Sequence, residues 1–230
     1  MALDLLCGPE PGDPFVTLAP PEPFANAAAR PPRRLRVGYA VASPLGTPVH
    51  PEAVAAVESA VALLQRLGHQ VEPAAPVISG AALARSYLCM YLGQVPAEIA
   101  AARAQGAAPR DFELLTRAMG VLGRAQSAAM LCTELMRWND FARALGDFHE
   151  RFDLLLTPTM AGPPLLHGAT DLPRWQAAAL EAVVSTGLLA LLARSGLIAG
   201  VVDAIAHDNM APVPFTQLAN LTGTPAINVP

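Results

Sequence analysis

The feature that most limits the possible folds is a strand–helix–strand pattern between residues 35 and 72. Leu35 to Val41 is short and apolar, as in a buried strand. Pro51 can open a helix, and Gly68 can end it. The apolar residues between them recur at three- and four-residue steps, as on one helical face: Val54, Val57, Val61, Leu64 and Leu67. His69 to Glu72 begins a second extended segment, so the pattern predicts a right-handed crossover between two parallel strands.

A helical block over residues 79–150 is predicted to come after this unit. Ser79 is a candidate N-cap for a first helix that ends near Gly106. Asp111 opens a second helix, and a third extends from about Arg124 to Arg151. One face of the third helix is expected to be buried: Leu131, Leu135, Trp138, Ala142 and Leu145.

The rest of the chain adds further strands and helices. Asp153 to Thr157 has the pattern of a buried strand that Pro158 ends, and residues 174–206 are mostly helical in pattern. A short helix from about Thr216 to Leu221 and a strand from Ala226 to Val229 close the chain. The predicted class is therefore α/β, a sheet with a helical block inserted between its strands.

The first 34 residues differ in composition from the other 196. Residues 1–34 are a proline-rich connector, and between residues 8 and 34 the density of proline is expected to prevent regular helix or central strand. They begin without a positively charged region, so no signal peptide is predicted. The three cysteines are odd in number and irregularly spaced, which favours buried free thiols and a reducing cytoplasm: Cys7, Cys89 and Cys132.

Composition excludes several classes of partner. The chain is 53% apolar and 15% charged, a composition that disordered chains do not have. The low charge also suggests that some apolar surface lies against another subunit or segment. The net charge of −4 argues against nucleic acid binding. Gly187 to Ala206 is the most apolar run, but Arg194 in its middle favours a buried or pocket-lining segment. A membrane-facing role is the alternative for that run.

The residues alone indicate a scaffold without a reaction centre. All 15 basic residues are arginine, which is a poor general base, so a mechanism that needs lysine cannot be completed from this chain. The histidines and cysteines lack metal-site spacing, no phosphate-binding glycine loop occurs, and no cofactor is predicted. None of the seven serines has the Gly-x-Ser-x-Gly context of a nucleophile elbow. Four acids are expected on solvated helix faces: Glu98, Glu113, Glu134 and Glu150.

Three blocks of sequence, taken in order, resemble the amidase-signature family. The first is Asp4 to Pro14 (DLLCGPEPGDP), and the second is the LRVGYAV strand with HPEAVAAVESAVALLQRLGHQVE at residues 50–72. The third pairs Phe152 to Thr159 (FDLLLTPT) with Phe215 to Pro230 (FTQLANLTGTPAINVP). The resemblance covers nearly all of the chain. It implies part of an α/β/α fold around a large mixed sheet and an enzyme that hydrolyses amide bonds.

Family members use a serine nucleophile, a second serine in a cis peptide and a lysine, all in their N-terminal half. This sequence has neither the family's Gly-Gly-Ser-Ser-Gly-Gly loop nor a lysine, so the resemblance carries over no catalytic residue. It implies instead a piece of an amidase that supplies scaffold and pocket wall, either needing the N-terminal half or self-associating. The helical segments 79–150 and 174–206 would line the pocket, and the substrate would be a small amide.

By the same resemblance, two segments face the nucleophile. Ligands in open α/β sheets bind beyond the carboxyl ends of strands, where a loop comes after the predicted strand at 153–157. The expected substrate contacts are Thr157, Pro158, Thr159, Met160, Phe215, Thr216 and Asn220. For Thr157, Pro158 and Thr159, a turn that ends the strand explains their presence as well as substrate contact does. For Asn220, a hydrogen bond to the backbone at the helix end is favoured over substrate contact. Tyr87, Tyr91 and the apolar block at 176–202 would suit an apolar acyl or aryl group.

Two other functions remain open from the sequence. The chain could be a non-catalytic module that binds a small molecule with the same half-fold. It could also be a different hydrolase that uses a serine, cysteine or histidine of its own, because the members of a triad need only meet in space.

Overall fold

The structure of the protein, a computed structural model, describes residues 2–13, 18–169, 171–197 and 199–229. It divides the chain into one unit over residues 1–35 and a second over residues 36–230. The first unit contains helix α1 (Ala2–Leu6) and helix α2 (Phe24–Ala28). The Asp4 carboxylate accepts hydrogen bonds from the backbone N–H groups of Phe24 and Ala25 at 2.5 and 3.2 Å. The prediction of no regular helix is wrong for α2, because Pro23 lies at its N-cap, where the helix needs no backbone N–H.

The second unit is built on three short parallel strands. They are β1 (Arg36–Tyr39), β2 (Gln70–Pro73) and β3 (Leu154–Leu156), in the order β2-β1-β3. Val37 lies opposite Val71 on one side and Leu154 on the other. The predicted strand–helix–strand unit and the predicted strand near residues 153–157 are confirmed, and β1 in the centre carries the most buried side chain of the strands, Val37.

The helix between the first two strands begins and ends as its sequence predicts. Helix α3 (Pro51–Arg66) has His50 at its N-cap, where the ring Nδ1 accepts from the N–H of Glu52 at 3.2 Å. Gly68 lies just past the helix with φ of +90°, a conformation that glycine adopts without strain. Val57 is buried and most of the apolar face is partly buried, but Leu67 is exposed because it lies beyond the last helical turn.

The predicted helical block contains α4 (Gly80–Ala104), α5 (Leu114–Ala125) and α6 (Ala128–Arg151). Ser79 caps α4 as predicted, since its hydroxyl accepts from the N–H of Ala82 at 3.3 Å. Asp111 does not open α5 but ends a preceding 3₁₀ turn, where its carboxylate accepts from the N–H of Ala108 at 2.8 Å. This hydrogen bond gives the N–H of Ala108 a partner within the turn, and α5 begins three residues after Asp111.

The buried face of α6 is rotated from the predicted one. Leu135 and Ala142 are exposed, whereas the side chains that face inward are Glu134, Phe141, Leu145 and Phe148. Adjacent helical residues lie about 100° apart, so a shift of one residue moves a side chain from the core to the surface. The aromatic part of this face joins Phe152 and helix residues Leu83, Leu218 and Leu221 in the main hydrophobic core.

Four helices complete the second unit: α7 (Arg174–Ser185), α8 (Leu188–Ser195), α9 (Ala199–Met210) and α10 (Gln217–Thr222). Two forked ion pairs join them to the helical block. Arg117 pairs with Glu181 at 3.0 and 2.5 Å, and Arg85 pairs with Asp203 at 3.1 and 2.5 Å. The guanidinium lowers the pKa of Glu181 below its usual value, through hydrogen bonding first and charge second.

The apolar run at 187–206 is buried only in part, and its pocket-lining role stays a prediction. Leu189 and Ala206 are buried, but Leu188, Leu191 and Leu197 are exposed. Among the described residues no single helix is long and apolar enough to cross a membrane. Helices α7 and α8 meet that requirement only as a pair, and they are bent by 81° at their break.

The predicted strand at Ala226–Val229 is wrong. Within the described residues this segment pairs with no strand, and Ile227 is 89% exposed. A strand-like sequence shows only that its side chains suit a pleated, half-buried surface. The segment forms a strand only where a neighbouring strand supplies hydrogen-bond partners for its backbone.

Candidate functional site

Three loops meet beyond the carboxyl ends of β1 and β3. The first leads from β1 to His50, the second covers residues 157–161 after β3, and the third covers residues 211–216 before α10. The N–H of His50 donates to the carbonyl of Ala161 at 2.6 Å, and the N–H of Ala161 donates to the carbonyl of Pro212 at 2.8 Å. Ala161 is thus held on both sides, and the three loops form one connected surface at the edge where parallel α/β sheets bind ligands.

The four predicted residues after β3 differ in exposure. Pro158 is buried, Thr157 and Met160 are half-buried, and Thr159 is exposed. The hydroxyl of Thr159 donates to Oδ1 of Asn228 at 2.9 Å, which ties the loop to the extended segment near the end of the chain. Sequence reasoning did not select Asn228, because its partner is distant in sequence and no local pattern marks it.

The predicted residues around α10 are partly brought together. Phe215 is half-buried, and Thr216 and Asn220 are exposed one helical turn apart on the same side of the helix. The side chain of Asn220 lies beside Tyr87 on α4. The backbone hydrogen bond favoured for Asn220 from the sequence stays a prediction.

Tyr87 lies beside a second tyrosine. Its ring centroid is 5.4 Å from that of Tyr91, with the planes inclined by 42°. Burial raises the pKa of the Tyr87 hydroxyl above its ordinary value, and the nearby Tyr91 raises it further. The Tyr87 phenol therefore stays protonated at neutral pH and can donate a hydrogen bond.

The cleft between the loop after β1, the start of α4 and the start of α10 has no room for a water-sized molecule, and it is lined by Pro44, Leu45, Gly80, Leu83, Ala84, Met210, Pro214 and Gln217. The described residues also bring together no group of three metal-ligating side chains.

One serine contacts a buried acid, but a substrate cannot reach it. Ser86 on α4 is 1% exposed, and its hydroxyl donates to the carboxylate of Glu134 on α6 at 2.5 Å. Arg137 approaches the same carboxylate at 3.4 Å. The prediction that Glu134 lies on a solvated face is wrong, because this hydrogen bond and the ion pair stabilise the charge inside the protein. Its spacing of four residues from Trp138 and seven from Phe141, which puts the three on one helical face, was the available signal.

No described serine is arranged for nucleophilic attack. In the part of the chain that the structure describes, no serine hydroxyl hydrogen-bonds a histidine ring, so no serine is activated as in a triad. A hydrolase that uses its own serine therefore gains no support from the geometry.

The cysteines are divided between surface and core. Cys89 is buried, but Cys7 and Cys132 are exposed, so the prediction of three buried thiols holds for one only. Burial in α4 raises the pKa of Cys89 above its ordinary value, and the charge of Glu134 raises it further. Cys89 is thus a protonated, inaccessible thiol and a poor nucleophile.

Thiol labelling tests this division. In native protein at pH 7.5, iodoacetamide is expected to modify Cys7 and Cys132 quickly and Cys89 only after denaturation, because the reagent needs an accessible thiolate. Peptide mass spectrometry locates the label. Cys132→Ser is the matched control and should remove one fast site only. Rapid native labelling of Cys89 would contradict the assignment and would revive a cysteine nucleophile.

Comparison with known proteins gives consistent matches over the chain. A family model described as Amidase matches residues 1–230. The lipoamidase of Enterococcus faecalis is 31% identical over 205 residues, which are 84% of this chain and 26% of that protein. The 6-aminohexanoate-cyclic-dimer hydrolase of Paenarthrobacter ureafaciens is 30% identical over 250 aligned residues, which are 99% of this chain and 43% of that protein.

A solved structure of 6-aminohexanoate cyclic dimer hydrolase has a similar fold. The match has a TM-score of 0.67 at 23% identity, and it covers 94% of this chain and 42% of that chain. The chain therefore spans less than half the length of the relatives it matches.

Proposed function

We propose that this chain, which belongs to the amidase family, forms the scaffold and one wall of the substrate pocket of an amide hydrolase. The nucleophile would come from a segment outside residues 1–230, in the same polypeptide or in another. The observation that carries this proposal is the surface joined through Ala161, which lies beyond the carboxyl ends of the strands. Among the described residues, no serine hydroxyl there hydrogen-bonds a histidine ring.

The chemistry is that of the family. A serine of the complementary segment would attack the carbonyl carbon of the amide, its proton would pass through the second serine to the lysine, and the amine would leave with a proton. Water would then hydrolyse the acyl-enzyme. This chain would orient the amide through the predicted contacts, namely Thr157, Pro158, Thr159, Met160, Phe215, Thr216 and Asn220. No lysine in the 230 residues can take up the proton, so the chain does not supply the base.

The proposal includes a partner for the apolar surface that remains open. Leu154 on β3 is half exposed, and Ile227 is almost fully exposed. Exposed strand edges and apolar side chains favour association, so the complementary segment or a second copy of the chain would cover them. A cytoplasmic location is part of the same proposal, and the free cysteines support it.

Reconstitution tests the proposal. The purified chain should release no 4-nitroaniline from 4-nitroacetanilide above the rate in buffer. Turnover should appear when the chain is mixed or co-expressed with a serine- and lysine-bearing amidase segment, first one encoded next to it and otherwise that of the 6-aminohexanoate-cyclic-dimer hydrolase. Replacing the nucleophilic serine of that segment should abolish turnover, since the reaction has no other nucleophile.

Three results would overturn the proposal. Turnover by the chain alone that disappears on substitution of one of its own serines or cysteines would show an independent hydrolase. A failure of every folded mixture to turn over would leave no role for the chain in amide hydrolysis. An anilide that raises the melting temperature of the chain without turnover in any mixture would favour a non-catalytic binding module. Light scattering on the same samples reports whether the two segments assemble.

A further inference from the structure

A buried glutamine lines the cleft between the loop after β1, the start of α4 and the start of α10. Gln217 on α10 is only 4% exposed. The other lining residues carry an apolar side chain or none: Pro44, Leu45, Gly80, Leu83, Ala84, Met210 and Pro214. Among the described residues, no hydrogen bond joins the Gln217 carboxamide to another group. The cleft therefore contains one polar side chain, and that side chain has no partner in the described part of the chain.

The other buried polar side chains that the structure describes do have partners. Ser86 is 1% exposed and donates to Glu134, which is 6% exposed and also lies 3.4 Å from Arg137. Buried polar groups in native proteins are nearly always hydrogen-bonded, because burial without a partner is destabilising. Water cannot supply a partner inside the cleft, since no water-sized molecule fits there. Gln217 is thus an exception that calls for an explanation, and a bound ligand would provide one.

One side of the cleft has a fixed shape. A Cβ atom at Gly80 would lie 2.0 Å from the carbonyl oxygen of Pro44, so the loop after β1 packs directly on the start of α4. Within that loop, the hydroxyl of Ser43 accepts from the N–H of Leu45 at 3.2 Å and lies 2.7 Å from the hydroxyl of Thr47. These local hydrogen bonds hold the loop against α4.

The other side of the cleft can adapt. Met210 at the end of α9 is half-buried, and methionine has an unbranched side chain with three rotatable bonds. Gln217 directly follows residues 211–216, the third loop of the surface joined through Ala161, so the cleft adjoins that surface. Rotation of the Met210 side chain would open a path to the carboxamide.

We infer that Gln217 is a substrate-binding residue whose side-chain oxygen accepts a hydrogen bond from the N–H of the substrate amide, with the Met210 side chain moved aside. The N–H is the group that an amide has and an ester lacks. A site that hydrogen-bonds such a group discriminates strongly against the analogue without it, because its own buried polar group is then left unpaired. Gln217 would therefore select amides over esters. This inference rests on the proposed function, because it names the part of the substrate that the wall recognises.

Melting temperatures of the chain alone test whether the carboxamide lacks a partner. Gln217→Met keeps the length of the side chain and removes the amide, so it should raise the melting temperature by about 2–6 °C. Ser86→Ala is the matched control, because it removes a buried polar group that has a partner, and it should lower the melting temperature. A Gln217→Met variant that melts below the parent would overturn the inference, since the carboxamide would then already be hydrogen-bonded within the chain.

Amide binding can be measured without turnover. In ¹⁵N-labelled chain, the side-chain NH₂ signals of Gln217 are assigned by their loss in Gln217→Met. N-methylacetamide should shift these signals saturably, and methyl acetate, which has no N–H, should bind at least about fivefold more weakly. Equal affinity for the two compounds, or no shift with either, would contradict the assignment. Far-UV circular dichroism confirms that each variant is folded.

The reconstituted enzyme provides a readout that a purely structural role would not change. 4-Nitroacetanilide and 4-nitrophenyl acetate present an amide and an ester with the same acyl and aryl groups. Gln217→Met should lower kcat/KM for the anilide about five- to twentyfold, and for the ester less than about twofold. An equal loss for both substrates would overturn the inference, because it would indicate a general structural effect or a contact with the carbonyl that they share.

The assignment of Gln217 and the proposed function fail in different ways. If the reconstituted enzyme hydrolyses amides but Gln217→Met leaves the ratio of anilide to ester turnover unchanged, the assignment is wrong and the proposed function stands. If N-methylacetamide binds at Gln217 but no folded mixture turns over, the assignment stands and the amidase role is wrong.

Discussion

Phe148→Ala is expected to lower the free energy of unfolding of the chain by about 3–5 kcal/mol. Phe148 on α6 is buried and stacks on Phe152 at 4.8 Å between ring centroids. Its ring also lies over Gly38 of β1, so it connects the sheet to the helical block. Truncation would leave a cavity at that junction, because backbone from two elements surrounds the ring and can close the space only in part. Urea unfolding followed by far-UV circular dichroism measures the loss.

Gly38 provides a double-mutant test of the same contact. A Cβ atom at Gly38 would lie 2.7 Å from Cζ of Phe148, so Gly38→Ala alone should be destabilising by about 1–3 kcal/mol. In a Phe148→Leu background those ring carbons are absent, and the added methyl group should cost at least about 1 kcal/mol less. Additive effects of the two substitutions would contradict the contact between the sheet and α6.

Gly123→Ala is expected to destabilise the chain by about 3 kcal/mol, by separating α5 from α4. A Cβ atom at Gly123 would lie 1.8 Å from the carbonyl oxygen of Leu92 and 2.5 Å from the ring of Pro96. Both obstacles belong to the backbone or to a rigid ring, so a change of rotamer cannot relieve them. Pro96 has no N–H to donate a helical hydrogen bond to the carbonyl of Leu92. The backbone of α5 packs against this turn of α4 at Gly123.

Gly146→Ala is the matched control for Gly123→Ala. Gly146 is also a helical glycine, but a Cβ atom there would meet no other atom within 4 Å. Alanine is the better helix former, so this substitution should raise the free energy of unfolding by about 0.5–1 kcal/mol. Urea unfolding of both variants separates the steric effect from the helix propensity of alanine. A Gly123→Ala variant as stable as Gly146→Ala would contradict the close helix crossing.

Local sequence signals were accurate where both partners of an interaction are close in the chain. Pro51 and Gly68 placed the ends of α3 correctly, and Ser79 placed the start of α4, because a cap is formed by a residue and its near neighbours. Asp111 has the same sequence signal for a helix N-cap, but it lies in a 3₁₀ turn. A carboxylate three residues from a free N–H can satisfy either structure, so the signal itself does not distinguish them.

The candidate site was predictable only in outline. The loop at 157–160 and the start of α10 were selected from a family resemblance and from the rule that ligands bind beyond strand ends, and their substrate contacts remain predictions. The hydrogen bonds of Ala161 and the pairing of Thr159 with Asn228 join distant segments. No periodicity within one segment contains that information.

The sequence by itself determined the strand–helix–strand unit, the helical block, the family and the absence of a lysine base, since each depends on composition or on neighbours within a few turns. Tertiary structure alone decided which face of α6 is buried, because the hydrogen bond between Glu134 and Ser86 and the packing of Phe148 on Gly38 set its rotation. It also decided that Ala226–Val229 is not a strand and that Thr159 bonds Asn228. A hydrogen bond between two elements forms only when the fold brings them together, and the identity of one residue does not indicate which distant residue it will bond.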